Sequence, residues 1–457
     1  MEIKEKIFKA YDIRGIYPEE INESVAYKIG EAFSEIYGKK EIVVGHDARK
    51  TSPKLTEEIM KAIENSGLNP VHIGLVSSDQ FYVHCVSNKV PGIMVTASHN
   101  PAEYNGFKML SEKGEAIRKT GGMEELSKKI IEKERSTPKN IKGSRRSLDI
   151  TSEFIEKINQ NIPSDSIKPI SLVIDAGNGA VGPVLEKLIP LYKNITVKKL
   201  FWEPDGNFPN RSPDPLKKGS LDALKKEVLN TPNSFGVSFD GDGDRVFAVD
   251  EDGNFVDSDF LGTLLTKYFL EQNPEEKIIN DITVSKVLSD TVSQYKNAKT
   301  IIERVGHSFI KKTMKETNSV LGVEKSGHFY FRSMYRADSG IMAVLYLICY
   351  LSKKNNSLKE ELKPLRNNYF LTGQINLTTE KDPISILDNV TEKYKDKKIT
   401  KLDGIAINSD EWRFILRSSN TEPIIRLVAE ASSKKLLDEK VKEVIDFIDP
   451  YSVVYPD

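Results

Sequence analysis

The sequence predicts an α/β protein: three similar, doubly wound α/β units followed by a smaller α+β piece. Three observations carry that expectation. The segments EIVVGHDARKTSPKLTEEIMKAI (41–63), SLVIDAGNGAVGPVLEKLI (171–189) and KIINDITVSKVLSDTV (277–292) each run from an apolar strand through a small or polar turn into residues of helical period. Their spacing, roughly 105–130 residues, suits repeated units with mainly parallel sheets, although no residue-level repeat accompanies it. The length of 457 residues fits three or four domains at about 100–200 residues each.

Each element can be placed in turn. The polar, aperiodic stretch STPKNIKGSRRS (136–147) reads as a linker, with others near Val249–Gly253 and at SKKNNSLKEELKPLRNN (352–368). These divide the chain into domains at 1–147, 148–250, 251–367 and 368–457. In the last of them LTGQINLTT alternates and short helices follow, which gives the α+β reading. The longest apolar run, Ile341 to Leu351, is short of the roughly 20 residues a membrane helix needs, and reads as a buried helix.

Bulk properties narrow the function classes. A formal charge of −1 provides no field towards nucleic acid or an anionic membrane, so neither is an expected partner. No signal peptide is visible in MEIKEKIFKA, and Cys85 and Cys349 both lie in apolar surroundings. A cytoplasmic protein with two reduced, buried thiols is expected. The six histidines are scattered, with no pair at metal-ligand spacing.

Four strands run straight into polar loops: GIMVTA into SHNP (98–101), FGVSFD into DGDGDR (240–245), VLGV into EKSGH (324–328) and EWRFIL into RSSNTEP (417–423). Open α/β sheets place ligand sites in such loops. In an extended DGDGD, alternate side chains share one side, so Asp240, Asp242 and Asp244 converge and call for a divalent cation, with Mg²⁺ suited to hard oxygen donors. The other readings are a solvated acidic turn and an EF-hand, whose position six would be Arg245 instead of glycine. RSSNTEP offers a guanidinium and hydroxyls fit for a phosphate dianion, or an ordinary Ser/Asn turn. EKSGH offers Glu324, Ser326 and His328 to sugar hydroxyls, or a polar surface loop. Arg14 in YDIRG and Lys108 in NGFK taken singly read as snorkelling cations, and His307 as a structural or capping residue. Ser98 alone reads as a helix cap, since no G-x-S-x-G elbow surrounds it. Together the loops point to phosphoryl chemistry on a polyol.

YDIRG, VTASHNPAEYNGFKM, DGDGDR, GHSFIKKTMKET, SGHFYF and RSSNTEP occur in the order found in the α-D-phosphohexomutase family, and the chain resembles its phosphomannomutase/phosphoglucomutase group along essentially its whole length. The resemblance implies three similar α/β domains and a smaller C-terminal domain around a central cleft. It implies that Ser98 carries a phosphoryl group, with Mg²⁺ between it and Asp240, Asp242 and Asp244. A hexose phosphate is then the substrate, and a hexose 1,6-bisphosphate the intermediate and activator. Arg14 and Lys108 would stabilise the transferring group, with His307 or Lys108 as general acid/base. Glu324, Ser326, His328 and His307 would hold the sugar, Tyr11 and Arg245 would line the cleft, and Arg417, Ser418, Ser419, Asn420 and Thr421 would clamp the non-reacting phosphate. Lys286 stands three residues after Thr283, which occupies the place of the group's usual D-V-K lysine; a substrate contact is expected of it. Lys325 stands where relatives have neutral or acidic residues, a departure that bears on sugar preference. The alternatives are phosphoglucosamine mutase, against which Asn420 argues because that group shows R-x-S-G-T-E-P, and a metal-dependent sugar phosphatase. A monomer or weak dimer is expected.

Overall fold

All three strand–turn–helix segments form, and the strand of each lies between two parallel neighbours. The computed structural model describes residues 3–119, 121–132, 141–418 and 424–455. It divides into two compact units, residues 1–255 with 328–353, and residues 256–327 with 354–457.

In the first unit, strand Glu41–His46 and helix Ser52–Asn65 are the first segment. The strand pairs in parallel with Asn69–Leu75 and Gly92–Val95, and its interior residues are buried, as expected for a strand covered on both faces. The sheet order is Ile13–Ile16, Tyr104–Leu110, Gly92–Val95, Glu41–His46, Asn69–Leu75, Arg146–Ser147. Strand Tyr104–Leu110 returns antiparallel to Gly92–Val95, so the turn at 96–103 is held at the carboxyl end of a parallel sheet. The second segment repeats the plan: Ile170–Asp175 lies between the parallel strands Ile195–Leu200 and Ser234–Phe239. Strand Val246–Val249 pairs antiparallel with Ser234–Phe239, which makes the 240–245 loop a tight reversal. Helix Gly340–Lys354 is buried along nearly its whole length; Ile341, Val344, Leu345 and Ile348 face Leu172, Ile174 and Phe239 of this sheet. Among the described residues no helix is long and apolar enough to cross a membrane.

In the second unit, Lys277–Asp281 pairs in parallel with Lys299–Glu303 and Leu321–Val323, and helix Lys286–Ser293 follows it. The C-terminal sheet is antiparallel throughout its paired path, in the order Lys398–Lys401, Ile405–Asn408, Trp412–Ser418, Ile424–Ala431, Ile375–Thr378, Ser452–Val454. The period of two sorts its side chains. Trp412, Phe414 and Leu416 enter a core shared with Ile386, Val390, Leu437 and Val444 of two covering helices. Arg413 and Ile415 point the other way; Ile415 packs on Ile282, and the buried Arg413 donates to the carbonyls of Ile282 (2.5 Å) and Val284 (2.8 Å). The fold class is therefore three α/β domains and a C-terminal α+β domain.

One expected linker is regular structure. Residues 352–368 hold the end of helix Gly340–Lys354 and then helix Leu358–Asn368. Ser357 and Glu360 form a capping box that starts the second helix, and Pro364 lies inside it. Of the segment 136–147, Arg146–Ser147 forms an edge strand parallel to Asn69–Leu75, and residues 136–140 lie outside the described residues. Cys85 and Cys349 are both buried and neither is in a disulfide, as expected.

Candidate active site

After the buried strand Gly92–Val95, the chain makes a tight turn in which Ser98 adopts φ 48°, a left-handed conformation that a side chain with a Cβ takes up at a cost. No helix follows, so Ser98 is not a helix cap. Its N–H donates to Thr96 Oγ1 (2.9 Å), and its Oγ donates to Asp240 Oδ2 (2.8 Å). The strained turn is held by Arg49. That guanidinium, fully buried, donates to the carbonyls of Ser98 (2.8 Å), Asn100 (2.5 Å), Pro101 (2.6 Å) and Tyr104 (3.0 Å), and is oriented by Asp47 (3.1 Å). Arg14, on strand Ile13–Ile16, reaches the same turn through Asn100 Oδ1 (2.5 Å) and pairs with Asp12. Burial works against its charge, but Asp12 with Asp242 and Asp244 raises its pKa overall. Tyr11 is half-buried in the bend that leads into this strand.

Asp240, Asp242 and Asp244 do converge: a carboxylate oxygen from each lies within 4.8 Å of the others. The geometric reason is not the extended alternation expected from DGDGD. Residues 241–244 form a turn, closed by Gly243 N–H on Asp240 O (3.2 Å), with Gly243 at φ 79° where a Cβ would stand 2.2 Å from Val181. Strands, not helices, flank it, so it is not an EF-hand. Two helix N-termini hold it. Ser78 donates its N–H to Asp242 O (2.9 Å) and its hydroxyl to Asp242 Oδ2 (2.6 Å), while Gly340 N–H meets Gly243 O (3.3 Å).

The three carboxylates are buried, and charge balance comes from neighbours. Lys108 Nζ donates to Asp242 Oδ2 (2.7 Å) and Asp244 Oδ2 (2.5 Å); burial opposes its charge, yet Asp242 and Asp244 raise its pKa well above the ordinary lysine value. Arg245 Nε donates to Asp240 Oδ2 (3.1 Å), and His328 Nε2 stands 3.4 Å from Asp244 Oδ1. Burial and then Asp244 push Asp240 upward; burial also acts on Asp244, but Lys108 and His328 pull it well below the carboxylate range. His99, 3.2 Å from Ser98 Oγ, is lowered to about 2 by burial and then by Arg245 and Arg14, so its imidazole is neutral. Asp242 Oδ1 and Asp244 Oδ1 are buried without a hydrogen-bond partner, although buried polar atoms almost always have one. Hard oxygen donors with two such atoms fit a divalent cation.

The second unit gathers a different set. Gly306, at φ 129°, donates its N–H to Glu324 Oε1 (2.7 Å), which sets the start of helix His307–Thr317 against the 324–327 turn. Asp403 Oδ2 accepts from Arg417 Nη2 (2.7 Å) and from the N–H of Val305 (3.3 Å). Arg417 is thereby tied two residues from His307. Arg417 and Ser418 end strand Trp412–Ser418 and do not begin a loop as expected; Ser419, Asn420 and Thr421 lie outside the described residues. Ser326 is half-buried in the turn closed by Gly327 N–H on Glu324 O (3.1 Å). Lys286 Nζ donates to the carbonyl of Asp410 (2.7 Å) and its N–H to Glu430 (3.1 Å); among the described residues it contacts neither Glu324 nor Arg417. Lys325 is drawn inward: its ammonium donates to Asp259 Oδ2 (2.6 Å), and its N–H to Asp281 Oδ2 (3.0 Å).

The first unit therefore assembles Ser98, Arg14, Lys108, Arg245, His328 and the three aspartates, and the second brings together Glu324, His307 and Arg417. Sequence reasoning missed Arg49, His99, Asn100, Thr96 and Ser78. For His99 and Asn100 the signal was present, since they sit inside SHNP itself. Arg49 and Ser78 act across the fold, and nothing local marks them.

Known proteins match the chain over nearly its whole length. Residues 5–137, 152–253 and 257–369 match the phosphoglucomutase/phosphomannomutase α/β/α domains I, II and III, and residues 375–447 match the C-terminal domain of the same family. A phosphohexose mutase of Xanthomonas campestris is 34% identical over 96% of this chain and 98% of its own length. A phosphomannomutase of Escherichia coli is 33% identical over 93% of this chain and 94% of its own. A crystal structure of a phosphoglucomutase/phosphomannomutase family protein from Burkholderia thailandensis superposes with a TM-score of 0.86 at 29% identity, covering 100% of both chains. The chain belongs to the phosphoglucomutase/phosphomannomutase family of α-D-phosphohexomutases. It is a mutase, and so an isomerase.

Proposed function

We propose that the protein interconverts hexose 1-phosphate and hexose 6-phosphate, with mannose, glucose or both as the sugar, through a phosphoserine at position 98 and a bound hexose 1,6-bisphosphate. The observation that supports this most is the contact of Ser98 Oγ with Asp240, one of three buried carboxylates suited to a cation. A hydroxyl in that setting can hold a phosphoryl group whose charge the cation balances. Mg²⁺, with Asp240, Asp242, Asp244 and the Ser98 phosphoryl oxygen as ligands, would supply that neutralisation when bound.

In the first transfer the phosphorus–oxygen bond at Ser98 breaks while the free sugar hydroxyl bonds to phosphorus. The proton lost by that hydroxyl is the one Ser98 Oγ gains. After the bisphosphate turns over, the other phosphoryl group returns to Ser98 by the reverse exchange. Arg14 and Lys108 carry charge next to the transferring group. His307 or Lys108 is the candidate general acid/base. Glu324, Ser326 and His328 hold sugar hydroxyls, Tyr11 and Arg245 complete the wall, and Arg417 with Ser418, Ser419, Asn420 and Thr421 holds the phosphate at rest. Lys286 would act only after leaving Asp410. The domains are read at 1–147, 148–250, 251–367 and 368–457, in a cytoplasmic monomer or weak dimer.

A coupled assay tests the reading. Glucose and mannose 1-phosphates should be converted to 6-phosphates, with turnover dependent on trace bisphosphate. Stoichiometric release of inorganic phosphate would make the protein a phosphatase, and preference for glucosamine 6-phosphate a phosphoglucosamine mutase.

A further inference from the structure

Lys325 lies inside the turn that carries Glu324, and it is fastened at both ends. Its N–H donates to Asp281 Oδ2 (3.0 Å), and its ammonium to Asp259 Oδ2 (2.6 Å). Asp281 ends strand Lys277–Asp281, and its other oxygen accepts from the N–H of Thr283 (2.6 Å). Asp259 is fully buried in the first turn of helix Ser258–Gln272. Its second oxygen accepts from the N–H of Ser285 (2.6 Å), the residue that caps helix Lys286–Ser293. One lysine thus ties the turn to a strand end and, through Asp259, to two helix starts. Only 14% of its side chain is exposed. Burial works against its charge, but Asp259 and then Asp257 raise its pKa overall, so the ammonium stays charged where it lies.

Glu324 is 3% exposed, and its Oε1 accepts from the N–H of Gly306 (2.7 Å). Adjacent Cα atoms stand about 3.8 Å apart across a planar trans peptide, so a shift of residue 325 passes directly to Glu324. A binding group has to be held to within about 0.5 Å of its productive place, which is the work of the residues behind it.

We propose that Lys325 is a positioning residue: paired with Asp259 and Asp281, it fixes the 324–327 turn and thereby sets how Glu324 meets the sugar. The inference rests on the sugar role proposed for Glu324. A lysine that served stability alone would not act through Glu324, and that difference can be measured.

The test is calorimetric titration of glucose 1-phosphate and, separately, mannose 1-phosphate into full-length protein carrying Ser98→Ala, so that binding is read without transfer. In that background Glu324→Gln should weaken binding at least about tenfold, the scale of a lost hydrogen bond to a charged group. Replacing Lys325 alone would strand the buried Asp259 charge, so the variant is K325M/D259N, which removes both partners of the pair. It should weaken binding about fivefold, yet add less than about twofold when combined with Glu324→Gln, because both changes remove one and the same contact. Asp259→Asn alone leaves Lys325 an uncharged acceptor; this milder variant should show a smaller loss that likewise vanishes beside Glu324→Gln. Losses that add in full to that of Glu324→Gln would overturn the positioning role and leave the sugar role of Glu324 standing. So would parent-like affinity in K325M/D259N beside a weakened Glu324→Gln. Parent-like affinity in Glu324→Gln would overturn the sugar role itself, and this inference with it.

Discussion

Ser98 Oγ and Arg245 Nε both donate to the same oxygen, Asp240 Oδ2, at 2.8 and 3.1 Å. Asp240 thus links the serine turn of one sheet to the acidic turn of the next. Removing the hydroxyl leaves that oxygen bonded to Arg245, so Ser98→Ala should fold. It should lose at least about 10³-fold in turnover, because covalent transfer has no substitute acceptor. Unfolding midpoints and rates measured together check this.

Asp242 Oδ2 accepts from Ser78 (2.6 Å) and Lys108 (2.7 Å), while its Oδ1 has no hydrogen bond. Asp242→Asn keeps the shape but removes a charge. Calorimetric titration with Mn²⁺ should show metal affinity reduced by more than about tenfold, with turnover falling in parallel.

Gly241 stands where a Cβ would be 2.5 Å from the carbonyl of Ser98 and 3.3 Å from Pro213. Gly241→Ala must push the acidic turn and the serine turn apart. A displacement of that kind should lower kcat by roughly 10–100-fold while circular dichroism stays close to wild type. Wild-type kcat in this variant would show that the two turns need not touch.

Asp403 positions Arg417 and binds the N–H of Val305 without being a ligand itself in the proposed reaction. Asp403→Ala should raise KM about tenfold with kcat changed less, since a loosened clamp weakens ground-state binding first. Steady-state kinetics separate the two effects.

Asp79 is fully buried, accepts from Ser339 Oγ (2.5 Å) and Gln80 N–H (2.8 Å), and is pushed up to about 7, chiefly by burial. A carboxyl raised by folding contributes stability that is complete below its unfolded value near 4 and is lost as pH rises through about 7. The effect is on the order of 4 kcal/mol at most. Asp79→Asn should flatten the fall in stability between those pH values. Denaturant titrations at pH 5 and 8 measure it, and an unchanged slope would place the titration elsewhere.

Much of this was legible because the signals are local. Strand runs ending in polar residues located Ser98, Asp240–Asp244 and Glu324, and apolar periodicity located the central strands. What escaped depends on distant partners. The extended reading of DGDGD failed because the glycines and the antiparallel return at Val246 fold it into a turn. The 352–368 stretch is polar because helix Leu358–Asn368 buries little more than Leu358, Leu362 and Leu365. Arg49 lies in an unremarkable loop, and its role exists only once four carbonyls from residues 98–104 surround it. Lys325 is adjacent to Glu324 in sequence but turns to Asp259, a partner 66 residues away.

Mass spectrometry of the intact protein with peptide mapping, after incubation with glucose 1,6-bisphosphate, tests the central claim most directly. One added phosphoryl group is expected, on Ser98, and Ser98→Ala should acquire none. A phosphoryl group on another residue, or full turnover by an unmodified chain, would contradict it.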